Sequence, residues 1–267
     1  MKYKRYFLLA SVLLLASALF FACKHDAGGP DNPGHSGEED KGLPRDGSFL
    51  QVPASTGFPI GTSKTPTNIK SFWMCEHEVT QAEYKKYESK IGPVPSGQSS
   101  TGDDFPVEKV NWLQAITYCN ERSKDEGFEP CYDINTTSGM GFKSTCDFTK
   151  SGYRLPTAAE WEYAARAGIE GDLPYSGAEA PSDTNKGDYV WDSGDKTYKV
   201  MTKKPNKWGF YDMSGNVAEL LWETGYQKPL YGGSANWSVE KLLTSSVCDY
   251  DKVSSSHLQG FRVCRNK

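Results

Sequence analysis

Hydrophobic positions along this chain come in short bursts whose spacing changes several times. The one long apolar run covers residues 6–21, behind Lys2, Lys4 and Arg5 and ahead of Ala22 and Cys23. A basic opening, a short apolar core and a small residue at the cut predict a secretory signal over 1–22, not a spanning helix. From 23 to 48 large apolar residues nearly vanish, and Gly, Pro, Asp, Glu and Asn take over. Such chain buries too little surface to offset its ordering entropy, so a flexible tether is expected there. Its His25 and His35 stand too far apart for a metal-binding tract. No second linker interrupts residues 49–267, which are expected to form one domain.

Inside that domain, FWMCEHE at 72–78 predicts a strand. Three stretches then carry the reciprocal pattern of a helix start, a capping residue followed three positions on by Glu or Gln: Thr80 with Glu83, Asn111 with Gln114, and Thr157 with Glu160. The first predicts a helix over TQAEYKKYE. The second has Trp112, Ala115, Ile116 and Cys119 at helical spacing, with Gly127 as its stop. The third packs on Trp161, Tyr163, Ala164 and Ala165 and ends at Gly168. Residues 131–146, with Gly and Ser in the middle, predict a hairpin. WGFYDMSGNVAELLWE at 208–223 predicts an aromatic strand, a Ser-Gly-Asn turn and a short helical segment.

The closing stretch, 231–265, is organised differently. It opens on Gly232 and Gly233 and ends on Gly260-Phe261-Arg262-Val263, a short strand signal. Between these ends the residues are mostly polar, with Val239, Leu242, Leu243, Val247, Val253 and Leu258 as apolar anchors. Two fixed ends around a polar, aromatic-sprinkled surface describe a binding site.

Composition sharpens this picture. Hydrophobic residues make up 37% and aromatics 13%, with 26 Gly and 15 Pro, so the core is expected to rest on rings and turns, not long helices. The net charge of -4 and the lack of a basic stripe exclude a nucleic-acid partner. Of the seven cysteines, Cys131 and Cys146 flank the predicted hairpin and are expected to form a disulfide. No CxxC or zinc spacing is present, and no metal or cofactor is expected.

Taken together, FWMCEHEVTQAEY, FPVEKVNWLQAITYCN, GYRLPTAAEWEYAARAG, NKWGFYDMSGNVAELLWE and YGGS…GFRV resemble, in this order, the motifs of formylglycine-generating (sulfatase-modifying) enzymes. The resemblance covers nearly all of the folded part. It implies an α+β, C-type-lectin-like fold with small twisted antiparallel sheets, few helices and much irregular chain. It further implies that 231–265 supplies the floor and rim of the functional site, and that Cys119 meets Cys264. Cys75 and Cys248 would be left over. Arg154, Glu160, Arg166, Asn216, Glu219 and Arg262 fall in its most recognisable motifs and are expected as hydrogen-bonded braces.

The chemistry implied by the resemblance breaks at one point. The enzymes place a pair of copper(I)-binding cysteines a few residues after Gly-Gly-Ser, where thiolates act as soft, redox-active ligands. The matching positions here are Trp237 and Leu242, which cannot ligate copper. Histidine-held iron, as in related sulfoxide synthases, would need a close pair; the folded part has only His77 and His257, both expected at the surface. Lys204-Pro205-Asn206 lacks the carboxylate of a lectin calcium tripeptide, and a structural calcium site formed by other carboxylates stays open.

What remains is a display scaffold. The chain is similar to the variable proteins of diversity-generating retroelements, and its leader, with Cys23 after a small residue, looks like a bacterial lipoprotein signal, as in the variable lipoproteins of treponemes. The expected ligand-binding residues are Asn236, Trp237, Ser238, Glu240, Ser245, Ser246, Asp249, Tyr250, Asp251, Ser254, Ser255, Ser256 and His257. Trp237 and Tyr250 would give rigid contact area, and the Ser and Asn residues adaptable hydrogen bonds. The expected function is non-catalytic binding of a protein or glycan ligand by an exported protein, lipid-anchored through Cys23 at the outer membrane and cell surface. The alternatives are a structural envelope lipoprotein and a sulfatase-activating oxidase.

Overall fold

The computed structural model describes residues 43–95, 97–134, 144–171, 175–177, 182, 184–192, 194–224, 227–234, 246–249 and 258–267. Chain order runs from β1 (Arg45–Asp46) and β2 (Phe49–Val52) to a hairpin of β3 (Ser55–Ile60) and β4 (Thr65–Ile69), then β5 (Phe72–Cys75). Three helices follow, α1 (Gln81–Lys85), α2 (Glu88–Ile91) and α3 (Trp112–Asp125). After them come β6 (Tyr132–Asp133), β7 (Thr145–Cys146), β8 (Tyr153–Arg154) and α4 (Ala158–Ala165). The chain closes with β9 (Ala218–Leu220), β10 (Gln227–Tyr231), β11 (Ser246–Asp249), β12 (Gln259–Gly260) and β13 (Cys264–Asn266). The class is α+β, with no helix among the described residues long and apolar enough to cross a membrane.

One sheet orders its strands β1-β2-β5-β13-β8 and so joins the start of the domain to its end. Strand alternation sorts its side chains onto two cores. Leu50, Val52, Phe72, Met74 and Cys264 face Trp161, Tyr163 and Ala164 of α4. Phe49 and Cys75, between them in register, face Trp112, Ile116, Tyr118 and Cys119 of α3. Packing of rings dominates both sides: Trp112 stacks on Trp222 at 5.2 Å, and Tyr118 meets Phe261 edge-on at 5.2 Å.

All three expected capping boxes form, with the cap side chain accepting from the third residue's N–H and that residue's side chain returning to the cap. Other expectations are corrected. The sheet begins at Arg45, four residues ahead of Phe49, because β1 pairs with β2. The first helix is broken into α1 and α2 around Lys86 and Tyr87. VAELLWE is not helical: its first half is β9, whose three residues are all buried and which pairs with β10 and β12. A segment buried on every side loses the polar face that would mark it as a strand, and its Leu and Glu content imitates a helix. The aromatic stretch ahead of it is irregular, not a strand.

Gly260-Phe261-Arg262-Val263 is likewise not one strand. It crosses from β12 in one sheet to β13 in the other, with the Phe261 and Val263 carbonyls accepting from Val79 and Cys75. The hairpin of β6 and β7 is present, with Tyr132 opposite Cys146, and it brings the sulfur atoms of Cys131 and Cys146, the pair expected as a disulfide, into contact. Their mutual contact favours the charged form at Cys131 and disfavours it at Cys146. Cys119 and Cys264 are also buried thiols, the latter accepting from Arg154 Nη1 at 3.0 Å.

Candidate functional site

The expected site is framed by a second sheet, ordered β11-β10-β9-β12. β10 runs antiparallel to β9, with Leu230 opposite Leu220 and Tyr231 opposite Glu219. β12 runs parallel to β9 on its other side, with Gly260 opposite Glu219. The segment that leaves β10 at Gly232 therefore returns two strands away, and both of its anchors register on the same residue, Glu219. Side-chain space is closed at each anchor. A Cβ on Gly232, at φ +85°, would lie 3.0 Å from the Trp161 ring, and one on Gly260 would lie 2.5 Å from the Val107 carbonyl oxygen. Ser234 and Leu258, the described residues nearest the segment's two ends, are buried.

Beneath the frame lies a charged network that water does not reach. Arg262 Nη2 donates to Glu219 Oε1 at 2.7 Å and its Nε to Oε2 at 2.8 Å; Trp161 Nε1 donates to the same Oε2 at 2.7 Å. Spare Arg262 donors reach the Glu76 and Tyr211 carbonyls, so one guanidinium ties β9 to two other separated segments. Beside it, Glu78 accepts from Asn216 Nδ2 at 2.7 Å and from the Val217 N–H at 3.1 Å. Burial, then the carboxylates of Asp212 and Glu219, push the Glu78 carboxyl up, and Arg262 opposes them.

The expected braces Arg154, Glu160, Arg166, Asn216, Glu219 and Arg262 are all hydrogen-bonded. Arg154 grips Glu160 through two bonds of 2.7 Å, and Arg166 holds Glu162 at 2.8 Å. Their partners Glu78 and Trp161 are additions; nothing in their local sequence signals a contact 138 or 58 residues away. His77, expected at the surface, is 7% exposed, because it sits at the exit of β5 between the Cys75 sulfur and Glu83.

The expected contact residues Asn236, Trp237, Ser238, Glu240, Ser245, Tyr250, Asp251, Ser254, Ser255, Ser256 and His257 lie outside the described residues, as does Cys23. Ser246 and Asp249 are placed by their backbone at the two ends of β11, opposite Leu230 and Gln227. Cys248 pairs with Lys228 in the same ladder. Copper does not fit these residues. The expected ligand positions, Trp237 and Leu242, lie outside the described residues and carry no thiol, and the described thiols are Cys75, Cys119, Cys131, Cys146 and Cys264. Among the described residues no group of three or more His, Cys, Asp or Glu side chains is placed to hold a metal ion.

Comparison with known proteins follows the same lines. The family model of the sulfatase-modifying factor enzyme 1-like domain matches residues 45–267. Chaperone protein LppX of Paenibacillus barcinonensis is 36% identical over 234 residues, covering 74% of this chain and 81% of LppX. Inactive C-alpha-formylglycine-generating enzyme 2 of Bos taurus is 32% identical over 125 residues, 43% of this chain and 32% of that protein. Among solved structures, Treponema denticola variable protein 1 superimposes with a TM-score of 0.66 at 28% identity, over 82% of this chain and 94% of its own. The fold is accordingly the C-type-lectin-like one implied by the motifs.

Proposed function

The chain belongs to the sulfatase-modifying factor enzyme 1-like domain family, and we propose that it uses the family's frame to display a ligand-binding segment and not to oxidise cysteine. This reading rests on the motif match: between two buried anchors on either side of β9, the positions read as matching the enzyme's copper-binding cysteines are Trp237 and Leu242. A rigid frame with an apolar pair in place of its redox pair retains recognition and loses oxygen activation. Likeness to an inactive formylglycine-generating enzyme and to a treponemal variable protein supports it. The match along most of LppX, a protein named as a chaperone, favours a protein ligand over a glycan.

The finer reading is that 235–257 binds through Trp237, Tyr250 and their polar neighbours and is diversified between isolates. Cys23 would be the lipid-modified residue, placing the protein on the outer membrane with its domain held out by the tether. The direct test incubates the full-length protein with copper(I), oxygen and a cysteine peptide of sulfatase type, and follows formylglycine by mass. No product is expected; conversion above the uncatalysed background sinks the reading. Sequencing the same gene across isolates tests diversification: changes confined to 235–257, at adenines, are expected.

A further inference from the structure

A concavity lies where the chain passes from the exit of β5 at His77 to the start of α1. It holds about 390 Å³ and is lined by His77, Glu83, Asp104, Lys199, Val200 and Met201, together with two threonines. None of these belongs to the C-terminal segment, and none is used by the display reading. The volume is at the small end of ligand cavities and suits one small molecule, not an oligosaccharide or a peptide strand.

Its walls are charged in an alternating way. At the floor, His77 Nδ1 lies 2.8 Å from the Glu78 carbonyl and 4.0 Å from Glu83 Oε2. Glu83 is already committed: it accepts from the Thr80 N–H at 2.9 Å and lies 3.7 Å from Arg122. At the mouth, Lys199 and Asp104 pair at 3.2 Å with side chains 58% and 68% exposed. Exposed pairs of this kind are weak and exchange partners readily. Their backbones are fixed all the same, because the Val200 N–H donates to the Asp104 carbonyl at 3.0 Å.

Met201 supplies the last feature. Its backbone is left-handed, at φ 58°, which a non-glycine residue adopts only when held. The holding group is buried Asp212, whose Oδ2 accepts from the Met201 N–H at 2.8 Å while Oδ1 accepts from Trp191 Nε1. The result is a thioether side chain 43% exposed beside the charged floor. Backbone strain that delivers an apolar side chain to water at a cavity wall is unexplained by packing.

We propose that this cavity binds a free α-amino acid with an apolar side chain, its carboxylate on Lys199, its ammonium on Asp104, and its side chain along Val200 and Met201. A polyanion would meet Glu83 and Asp104, and a polycation His77 and Lys199; a zwitterion satisfies both signs. Binding would replace the weak Lys199–Asp104 pair with two new ones, each end of the ligand taking one partner.

Calorimetric titration of the full-length protein tests this with the twenty common amino acids, and then with the N-acetyl and carboxamide forms of the best binder. An apolar amino acid is expected to bind, and each blocked form roughly tenfold or more weaker, the factor given by losing about 1.4 kcal/mol. Asp104→Asn and Lys199→Gln, both exposed and tolerant of change, are each expected to weaken the free amino acid about tenfold. No binding by any amino acid overturns the proposal, as does equal binding of the blocked forms or unaltered affinity in both exposed variants.

Discussion

At the scale of single residues, His77 shows what local sequence hides. As an isolated histidine it had no partner in view; in the fold it meets the Cys75 sulfur from β5, Glu83 from α1 with Arg122 behind it, and the charge of Asp212. Burial lowers its pKa, but the Cys75 and Glu83 contacts outweigh that and hold it up at about 9 against an ordinary 6.5. The sign follows from linkage. A folded pKa above the unfolded one gives stability that is fully present below pH 6.5 and disappears as pH rises through about 9. Melting temperatures of the native protein and His77→Gln, taken from about pH 6 to about pH 9.5, are expected to differ most at the acid end and to converge at the alkaline end. A constant difference would mean the ring is neutral throughout.

At the scale of elements, legibility tracks the distance over which a signal acts. The capping boxes at Thr80, Asn111 and Thr157 are complete within four residues, and all three were readable. β9 was misread because what makes it a strand is its neighbours, β10 and β12, contributed by chain that follows it. The split of Gly260-Phe261-Arg262-Val263 between two sheets has the same cause. The Cys131–Cys146 hairpin falls between these cases: the pairing of β6 with β7 is legible locally, while the oxidation state belongs to the surroundings. With Cys131 directly ahead of β6, Cys146 on β7 and their sulfurs in contact, air oxidation is expected to join them to each other, not to Cys119 or Cys264. Peptide mapping without reductant checks the pairing, and reduction should cost about 3 kcal/mol, the value for a loop of roughly this size. A link from Cys131 to any other cysteine would contradict the geometry.

At the scale of the whole molecule, the proposed display reading requires a frame whose stability does not depend on the segment it carries. The sequence showed the separation of frame from segment in outline, since Glu219 and Arg262 lie in recognisable motifs and 235–257 does not. It did not show that β10 and β12 converge on Glu219, or that one guanidinium locks β9 to the chain at Glu76 and Tyr211. Both anchors are bonded to the body of the domain: the Gly215 N–H donates to the Gly232 carbonyl, the Ala218 N–H to the Leu258 carbonyl, and Gln259 Nε2 to the Val110 carbonyl. Arg262→Met strands the Glu219 carboxylate in a fully buried site, a change expected to cost roughly 3–5 kcal/mol in denaturant unfolding. Trp237→Ala and Tyr250→Ala are expected to move unfolding by less than about 1 kcal/mol and to weaken ligand capture by about 2 kcal/mol or more. The contrast is the test, because a general loss of fold would depress both measurements together. If Arg262→Met altered ligand choice at unchanged stability, or if the segment's variants unfolded the domain, frame and site would not be separate and the molecule would not be a display scaffold.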